Sequence, residues 1–403
     1  MEDRCVVANL RGVITPDPAE PWRVHRLADP AVAVERGRVA WLGPRTDLPP
    51  EWKGAPRIDG AGTWAAPGFV DPHTHLLFAG DRSQEFNRRL QGATYQQIAD
   101  EGGGIRETVR ATRTASVEEL VAAGESRLEL LRRRGVVHLE AKTGYGLSLE
   151  AESRLLAAYA ELRSRGWSLD VTILAAHDLA PEFEGDAEAN AEAVGQAWLP
   201  ELVRRHPGTA AYCDVFVEKG VFTAAQGRRI FAAGKRLGLR PRVHADELSW
   251  TGGAELAAEL GAASADHLMF CSAEGMAAMA GSGVIPVLLP GTTLFLGMRE
   301  WAPARRMIET GCRVALASDF NPGSCPCLDP LLVLRLGCLQ LRMTFEEAFT
   351  AMTLHAALSL GRREYGHLLP GARAEILLWP VKDPLELVYW VGEPFEPRFA
   401  GKA

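Results

Sequence analysis

The chain has 403 residues, of which 47% are hydrophobic and 24% charged, as in an ordinary globular protein with a large core. Its net charge of −7 excludes the basic surface that nucleic-acid binding requires, and no apolar stretch approaches the roughly 20 residues of a membrane span. We therefore expect neither nucleic acid nor a membrane as a partner. The N-terminus lacks the basic start and apolar core of a signal peptide, and the seven scattered cysteines are no disulfide framework, so a cytoplasmic location is expected.

Both ends of the chain have strand character. Residues 5–10 and 31–43 alternate apolar residues with glycine-containing turns, and nothing in the first 66 residues has the period of a helix. From about residue 357 the strand pattern returns, with one predicted strand over 371–379 and another over 389–391. Because chain termini often lie close together, residues 1–66 and 357–403 are predicted to form one small, β-sandwich-like domain.

Between these ends, apolar strand-like runs alternate with long helix-like segments. Several runs are continuous in Val, Ile and Leu, which is typical of strands buried on both faces. Ser116 with Glu119, and Thr344 with Glu347, form capping boxes that indicate helix starts. The predicted strands cover residues 69–73, 136–142, 171–177, 214–218, 242–247, 265–268, 284–289 and 314–319. Eight strand–helix units predict a TIM-like (β/α)8 barrel over residues 67–356.

Nearly every predicted barrel strand ends in a polar residue. The C-terminal ends of barrel strands share one face, which holds the active site in this fold, so residues scattered along the chain are expected to converge there. A single histidine after an apolar run is more often structural, and His138 and His355 are interpreted in that way. The strand-end residues are His73, His75, Lys142, Tyr145, His177, Glu218, His244, Asp246, Glu247, His267 and Asp319.

This set of residue types indicates a metal centre. His73 and His75 are separated by one residue, so both imidazoles can face the same side of an extended backbone. Imidazole suits Zn, Fe, Ni or Cu. We predict that His73, His75 and His244 supply nitrogen ligands and that Asp319 supplies a carboxylate oxygen, with one position open for water.

Proton transfer requires further groups. Asp319, His267 or both could take the proton of an attacking water. Glu247, three residues after His244, could protonate a leaving nitrogen, or it could be a helix-start or surface carboxylate. The spacing alone does not separate these alternatives.

Two loops and one arginine are further candidates. Asn321, Gly323 and Ser324 follow Asp319, and glycine permits close approach of the backbone to a ligand. Residues 101–106 contain three consecutive glycines and form either a lid or a plain surface loop. Arg82 could bind a substrate carboxylate in a bidentate way, although a lone loop arginine is more often a surface charge.

The motifs together resemble the amidohydrolase superfamily and, within it, the imidazolonepropionase family. The Pro-Gly-Phe-Val-Asp-Pro-His-Thr-His segment that begins at Pro67 marks the superfamily. Three motifs are more specific: Phe-Ala-Gly-Asp-Arg ending at Arg82, Lys-Thr-Gly-Tyr-Gly from Lys142, and Asp-Phe-Asn-Pro-Gly-Ser from Asp319. Further matches lie at residues 90–95, 102–105, 244–249, 264–268 and 289–291, so the resemblance spans nearly the whole chain.

The resemblance implies hydrolysis of the ring amide of 4-imidazolone-5-propanoate, a small-molecule substrate, to N-formimidoyl-L-glutamate in histidine degradation. It implies a homodimer and one Zn²⁺ or Fe ion, since Glu218 stands where many relatives have a lysine that bridges two metals. Metal ligands by this resemblance are His73, His75, His244 and Asp319, with His267 and Glu247 as proton-transfer groups. Substrate contacts by the same resemblance are Arg82, Tyr145, His177, Glu247, Asn321, Gly323 and Ser324, with Tyr95 a weaker candidate.

Some positions depart from the family pattern, and other functions stay open. Trp250 and the pair Cys325 and Cys327 are unexpected near the site; the cysteines are interpreted as reduced thiols rather than metal ligands. Another amidohydrolase, such as a nucleobase aminohydrolase, would share the metal site without needing a carboxylate clamp. A non-catalytic barrel that acts in assembly would lose the metal ligands.

Overall fold

The computed structural model of the protein describes residues 4–93, 97–98 and 101–400. They form three sheets of four, five and eight strands. Both chain ends contribute to one of the two smaller sheets, and the middle of the chain forms the largest.

The smaller sheets are built from the chain ends. The four-stranded sheet contains β1 (Arg4–Ala8), β4 (Pro30–Glu35), β5 (Arg38–Pro44) and β6 (Arg57–Asp59). The five-stranded sheet contains β2 (Gly12–Pro16), β3 (Val24–Ala28), β7 (Trp64–Pro67), β16 (Ile376–Trp379) and β17 (Arg398–Phe399). β7 and β16 pair antiparallel, with Ala66 opposite Leu377, so the two ends of the chain meet in one sheet as expected. The boundaries assigned to a separate domain stay a prediction.

The third sheet is an eight-stranded parallel barrel, as predicted. Its strands are β8 (Phe69–Asp71), β9 (Val136–Lys142), β10 (Leu169–Ala176), β11 (Tyr212–Val217), β12 (Arg240–Ala245), β13 (Ser264–His267), β14 (Ile285–Leu288) and β15 (Ala315–Leu316). Each pairs with the next strand in sequence. The barrel closes just beyond the first and last strands, where Asp319 N donates to His73 O at 3.0 Å and His75 N donates to Phe320 O at 2.8 Å. This closure places the first and last predicted metal ligands side by side.

Helices follow the barrel strands and cover the barrel, and one further short helix follows β16. They span Ser83–Leu90, Ile105–Thr114, Val117–Arg133, Leu149–Ser164, Ala187–Ala193, Leu199–Arg205, Ala224–Arg236, Gly253–Leu260, Ala273–Ser282, Pro290–Leu296, Ala304–Glu309, Pro330–Leu339, Phe345–Met352, Leu354–Ser359 and Glu386–Tyr389. Both predicted capping boxes are present, at Ser116 and Thr344, because each hydroxyl accepts the amide of the glutamate three residues later. None of the described helices has the length and hydropathy needed to cross a bilayer.

The predicted strand over 389–391 is wrong. Glu386–Tyr389 is a short helix, and Val391 is exposed. The Asp383 carboxylate accepts the amide of Leu385 at 2.8 Å, which starts a helical turn instead of an extended segment. The edge of the sheet beside β16 is occupied by β17.

Candidate active site

A cavity of about 1260 Å³ opens at the C-terminal ends of the barrel strands. The predicted site residues that line it are His75, Arg82, Tyr145, His177, His244, Glu247, His267, Asp319, Asn321 and Ser324. His73 is fully buried beside His75, and Gly323 packs against the Arg82 guanidinium. The structure therefore gathers the predicted residues at one place, whereas Tyr95 lies outside the described residues.

Two histidines and one carboxylate converge at the centre of this cavity. Nε2 of His73 lies 3.4 Å and Nε2 of His75 lies 3.5 Å from the same oxygen, Oδ1 of Asp319. Asp319 has a left-handed backbone with φ of 52°, an unfavourable conformation for a residue with a side chain. Thr292 Oγ1 donates to the other carboxylate oxygen at 2.5 Å and so fixes its orientation.

Buried carboxylates orient two of the histidines. Nδ1 of His73 lies 2.7 Å from Asp266 Oδ2, and Nδ1 of His244 lies 2.9 Å from Asp214 Oδ2. Because a carboxylate oxygen accepts, Nδ1 carries the proton in each ring and Nε2 keeps its lone pair. Neither buried Nε2 has a hydrogen-bond partner among the described residues. This is the arrangement that a metal-binding histidine requires.

The electrostatics of the cluster fit a bound cation. Three overlapping groups have ligand atoms within 4.8 Å of one another: His73, His244 and His267; His75, His177 and His244; and His73, His75 and Asp319. Burial lowers the pKa of His73 and His75 well below the usual value, so both rings are neutral, as ligands must be. Burial also raises the pKa of Asp319 to about 6, and a neighbouring cation would stabilise its anionic form.

A network of buried charges lies beneath these ligands. Lys142 Nζ lies 2.9 Å from both Glu140 Oε1 and Asp214 Oδ2, and 3.6 Å from Asp266 Oδ2. Lys142 therefore contacts both carboxylates that orient the histidines. Arg242 Nη2 lies 3.6 Å from the same oxygen of Asp266, and every member is fully buried.

Sequence reasoning missed the supporting role of this network. The sequence did contain a signal for this network, namely charged residues inside apolar strands. Glu140 and Lys142 are two residues apart on β9 and therefore face the same side. Asp214 and Asp266 lie likewise within β11 and β13, the strands that flank β12 and His244.

Glu247 and His267 lie side by side at the cavity wall. His267 Nδ1 is 3.6 Å from Glu247 Oε1. Burial, followed by the charges of Asp319 and Glu218, raises the pKa of Glu247 well above its usual value. Burial and the neighbouring His244 lower the pKa of His267 well below its own. Burial therefore favours the protonated form of the Glu247 carboxyl and the neutral form of the His267 imidazole.

Two strand-end carboxylates shape the backbone instead of facing the cavity. Glu218 accepts the amide of Leu248 at 2.9 Å and thereby holds the segment that carries Glu247. Asp246 accepts the amides of Thr251 at 2.8 Å and Ala254 at 3.1 Å, at the start of the helix Gly253–Leu260. Both carboxylates therefore fix the turn after His244.

Tyr145 and His177 form an aromatic wall beside His75. The rings of His75 and His177 are stacked with centroids 4.7 Å apart, and the Tyr145 ring lies 5.3 Å from that of His177. The loop that carries Tyr145 is held by the buried carboxylate of Glu152, which accepts the amides of Gly144, Gly146 and Leu147. Sequence reasoning missed Glu152, which looks like an ordinary residue in the first turn of a helix.

The side chain of Asn321 organises the loop after Asp319. Its Oδ1 accepts the amides of Gly323 at 2.9 Å and Ser324 at 2.7 Å, and its Nδ2 donates to Asp319 O at 2.7 Å. Cys325 is a buried free thiol whose Sγ lies 3.1 Å from Ser318 O.

Trp250 and Arg82 have opposite environments. Trp250 is 63% exposed, and its indole donates to Glu255 at 3.4 Å. Arg82 is buried at the cavity wall, and its Nε donates to Glu85 at 3.0 Å. The surface-charge interpretation of Arg82 is therefore wrong.

Solved structures of similar shape have low sequence identity. A triazine hydrolase variant matches with a TM-score of 0.71 and 18% identity, over 98% of this chain and 92% of that one. A zinc-bound adenosine deaminase from Xanthomonas campestris matches with a TM-score of 0.69 and 17% identity, over 96% and 88%. At these identities the likeness shows the barrel fold alone.

Sequence comparison is more specific. The model of the amidohydrolase family matches residues 269–400. The chain is 45% identical to an imidazolonepropionase of Symbiobacterium thermophilum, over 92% of this chain and 90% of the relative. It is 42% identical to an imidazolonepropionase of Myxococcus xanthus, over 96% of this chain and 93% of that relative. With this identity over nearly its whole length, the chain belongs to the imidazolonepropionase family of amidohydrolases.

Proposed function

We propose that the protein hydrolyses the ring amide of 4-imidazolone-5-propanoate to N-formimidoyl-L-glutamate. The oxygen of one water joins the ring carbonyl carbon, the bond from that carbon to the ring nitrogen breaks, and the nitrogen takes up a proton. The proposal rests on the cavity, which combines a buried arginine with buried histidine nitrogens that have no hydrogen-bond partner in the described part of the chain. It also rests on the family to which the chain belongs.

One Zn²⁺ or Fe ion is proposed to bind to His73, His75, His244 and Asp319. When bound, it would lower the pKa of water and polarise the substrate carbonyl. The choice of a single ion is supported by Glu218, whose carboxylate is engaged with the amide of Leu248 rather than directed as a bridging ligand.

Proton transfer is assigned to three side chains. His267, neutral because burial lowers its pKa, accepts the proton of the attacking water together with Asp319. Glu247, whose protonated form is favoured because burial raises its pKa, donates a proton to the leaving ring nitrogen. Glu247 Oε1 and His267 Nδ1 lie 3.6 Å apart, beyond hydrogen-bond distance, so the proton passes from the base to the acid once the two side chains approach each other.

Substrate orientation is assigned to the cavity wall. Arg82 pairs with the propanoate group, since a guanidinium matches a carboxylate in charge and planarity. Tyr145 and His177 pack against the planar ring. The loop after Asp319 forms another side of the substrate cavity, with Asn321, Gly323 and Ser324. The homodimer and the cytoplasmic location stay predictions.

The proposal is tested by an activity assay with metal quantification. We expect turnover of imidazolone propanoate, and loss of most of that turnover in Arg82→Ala with the metal content unchanged. A removed hydrogen-bonded charge pair costs about 2–5 kcal/mol, which corresponds to a loss of at least tenfold. Turnover of nucleobases instead, insensitive to Arg82→Ala, would indicate an aminohydrolase. A protein that neither holds nor responds to Zn or Fe would contradict both.

A further inference from the structure

We propose that Glu85 is a positioning residue that holds Arg82 in the orientation required by a carboxylate-bearing substrate. This inference rests on the proposed function, because it gives Arg82 the same propanoate partner. Glu85 lies three residues after Arg82, in the first turn of the helix Ser83–Leu90. No substrate contact is assigned to Glu85, which acts through Arg82.

The contact between the two side chains is bidentate and buried. Arg82 Nε donates to Glu85 Oε2 at 3.0 Å, and Arg82 Nη2 donates to Glu85 Oε1. The side chains are only 7% and 10% exposed, in contrast to the exposed ion pairs on the outer helices. Two parallel hydrogen bonds fix the plane of the guanidinium as well as its position.

Glu85 is itself anchored independently of Arg82. Its Oε2 accepts the amide of Gly104 at 2.8 Å, at the end of the triple-glycine segment. Gly104 has φ of 71°, a conformation that favours glycine. Glu85 therefore links three elements: the loop that ends at Arg82, its own helix and the glycine segment before the helix Ile105–Thr114.

The opposite side of the guanidinium packs against the loop after Asp319. A Cβ atom on Gly323 would come within 1.9 Å of Arg82 Nη1, so only glycine leaves room for this orientation. Arg82 is thus held between Glu85 and Gly323 and lines the same cavity as His75 and Asn321. The glycine at 323 is explained by the position of the Arg82 guanidinium.

Two opposed effects decide the result of removing the Glu85 charge. The loss of a negative charge would strengthen the attraction of Arg82 for a substrate carboxylate. Replacing one acceptor oxygen of Glu85 by an NH2 group would break the bidentate contact and loosen a side chain with four rotatable torsions, which must then be ordered again by each substrate molecule. We expect the second effect to dominate, because Glu85 is fixed by Gly104 and faces Arg82 with two oxygens.

The test compares Glu85→Gln with wild type on two substrates: imidazolone propanoate and its propanamide counterpart, which lacks the negative charge. We expect KM for the acid to rise about 10- to 100-fold, the effect of losing hydrogen bonds to a charged group, with kcat changed less than about twofold. KM for the amide should change far less. The Kd of imidazole-4-propanoate, a non-hydrolysable carboxylate, should rise in parallel with KM for the acid.

Two controls separate positioning from general damage. Glu201→Gln removes another glutamate that binds an arginine three residues away, on an outer helix, and should leave both KM values unchanged. In the Arg82→Ala background, Glu85→Gln should cause no further loss, because residues that act through one another are not additive.

Other outcomes overturn the inference. Equal rises in KM for acid and amide would make Glu85 merely structural. Tighter binding of the acid would mean that the charge of Glu85, not its positioning of Arg82, dominates.

The proposed function and the role of Glu85 can fail separately. If wild type does not turn over imidazolone propanoate but binds imidazole-4-propanoate in a Glu85-dependent way, the proposed function fails and the role of Glu85 stands. If Glu85→Gln does not fold, Glu85→Ala with the same Kd measurement decides.

Discussion

At the scale of single residues, the site is defined by which nitrogen of each histidine is left without a partner. Asp266 and Asp214 occupy Nδ1 of His73 and His244, and Lys142 contacts both carboxylates. The two Nε2 atoms are consequently aimed at the cavity with their lone pairs available. One unpartnered nitrogen alone does not mark the site: His138 has partners for both nitrogens, Ser168 and Asp170, but the buried His355 also leaves its Nε2 without a partner among the residues described. The convergence of several histidines and one carboxylate distinguishes the cluster.

His267 provides the residue-scale prediction, because it is close enough to the cluster to be either a ligand or a base. We expect His267→Ala to retain its metal and to lower kcat by about 10²- to 10⁴-fold, the usual contribution of an acid or base. Metal content by elemental analysis and kcat by steady-state assay should be measured on the same preparation. A loss of metal would show that His267 is a ligand, and near-normal kcat would leave Asp319 as the base.

At the scale of elements, several candidate catalytic residues lie on loops after the barrel strands. Buried carboxylates fix the backbone of these loops by accepting its amides. Glu152 binds the loop of Tyr145, Glu218 binds the segment of Glu247, and Asp246 binds the start of the next helix. Each accepts backbone amides that would otherwise lack partners in a turn. These hydrogen bonds add to apolar contacts, since Tyr145 packs with Phe78 and Phe320.

Asp170 on β10 supports a prediction about pH. It accepts hydrogen bonds from Arg362 at 2.5 and 2.9 Å and lies 3.0 Å from His138 Nε2. Burial alone would raise the pKa of Asp170, but these partners outweigh it and lower the pKa below its usual range. Since the pKa is lower in the folded state, this stabilisation is fully present above the unfolded value of about 3.9 and is lost progressively as pH falls from there through the folded-state pKa.

We therefore expect Asp170→Asn to destabilise the protein by about 1.5–3 kcal/mol at pH 7, with the difference from wild type shrinking progressively below about pH 4, toward the lowered folded-state pKa of Asp170. The melting temperature of the variant and wild type, measured from about pH 2 to pH 7, gives the comparison. Asp29→Asn, which breaks an exposed bidentate pair with Arg45, is the matched control and should have little effect at any pH in this range. A constant difference between Asp170→Asn and wild type across this range would refute the assignment.

At the scale of the whole molecule, the barrel brings residues from opposite ends of its sequence into one centre. His73 and Asp319 are neighbours because β8 and β15 meet where the barrel closes. A cation shared by these two segments would connect the first and last strands. Its binding energy would then add to the stability of the barrel, because the unfolded chain offers no such site.

Metal removal tests whether a bound cation stabilises the whole barrel. Chelation should lower the melting temperature, because a ligand at 100 times its Kd stabilises the folded state by about 2.7 kcal/mol. Adding back Zn²⁺ or Fe²⁺ should restore it. Asp319→Asn serves as the control, since its melting temperature should respond weakly to chelator and metal. An unchanged melting temperature of the wild type after complete metal removal would show that the centre contributes nothing to stability.

Much of the fold was predictable because its signals are local. Eight apolar runs, capping boxes at Ser116 and Thr344, and strand-end polar residues are patterns over a few positions, and the structure confirms the barrel they predicted. The strand predicted at 389–391 failed because a local signal was overlooked: the Asp383 carboxylate accepts the amide of Leu385 and starts a helical turn just before it.

By itself, the sequence determined the fold class, the family and the identity of the polar residues at the barrel mouth. Only the tertiary structure decided that Asp214, Asp266 and Lys142 lie beneath the histidines. It also decided that Glu85 binds Arg82, whose guanidinium packs against Gly323. The physical reason is distance along the chain. Periodicity reports which way a side chain faces within its own element, whereas hydrogen bonds among buried groups depend on which elements pack together.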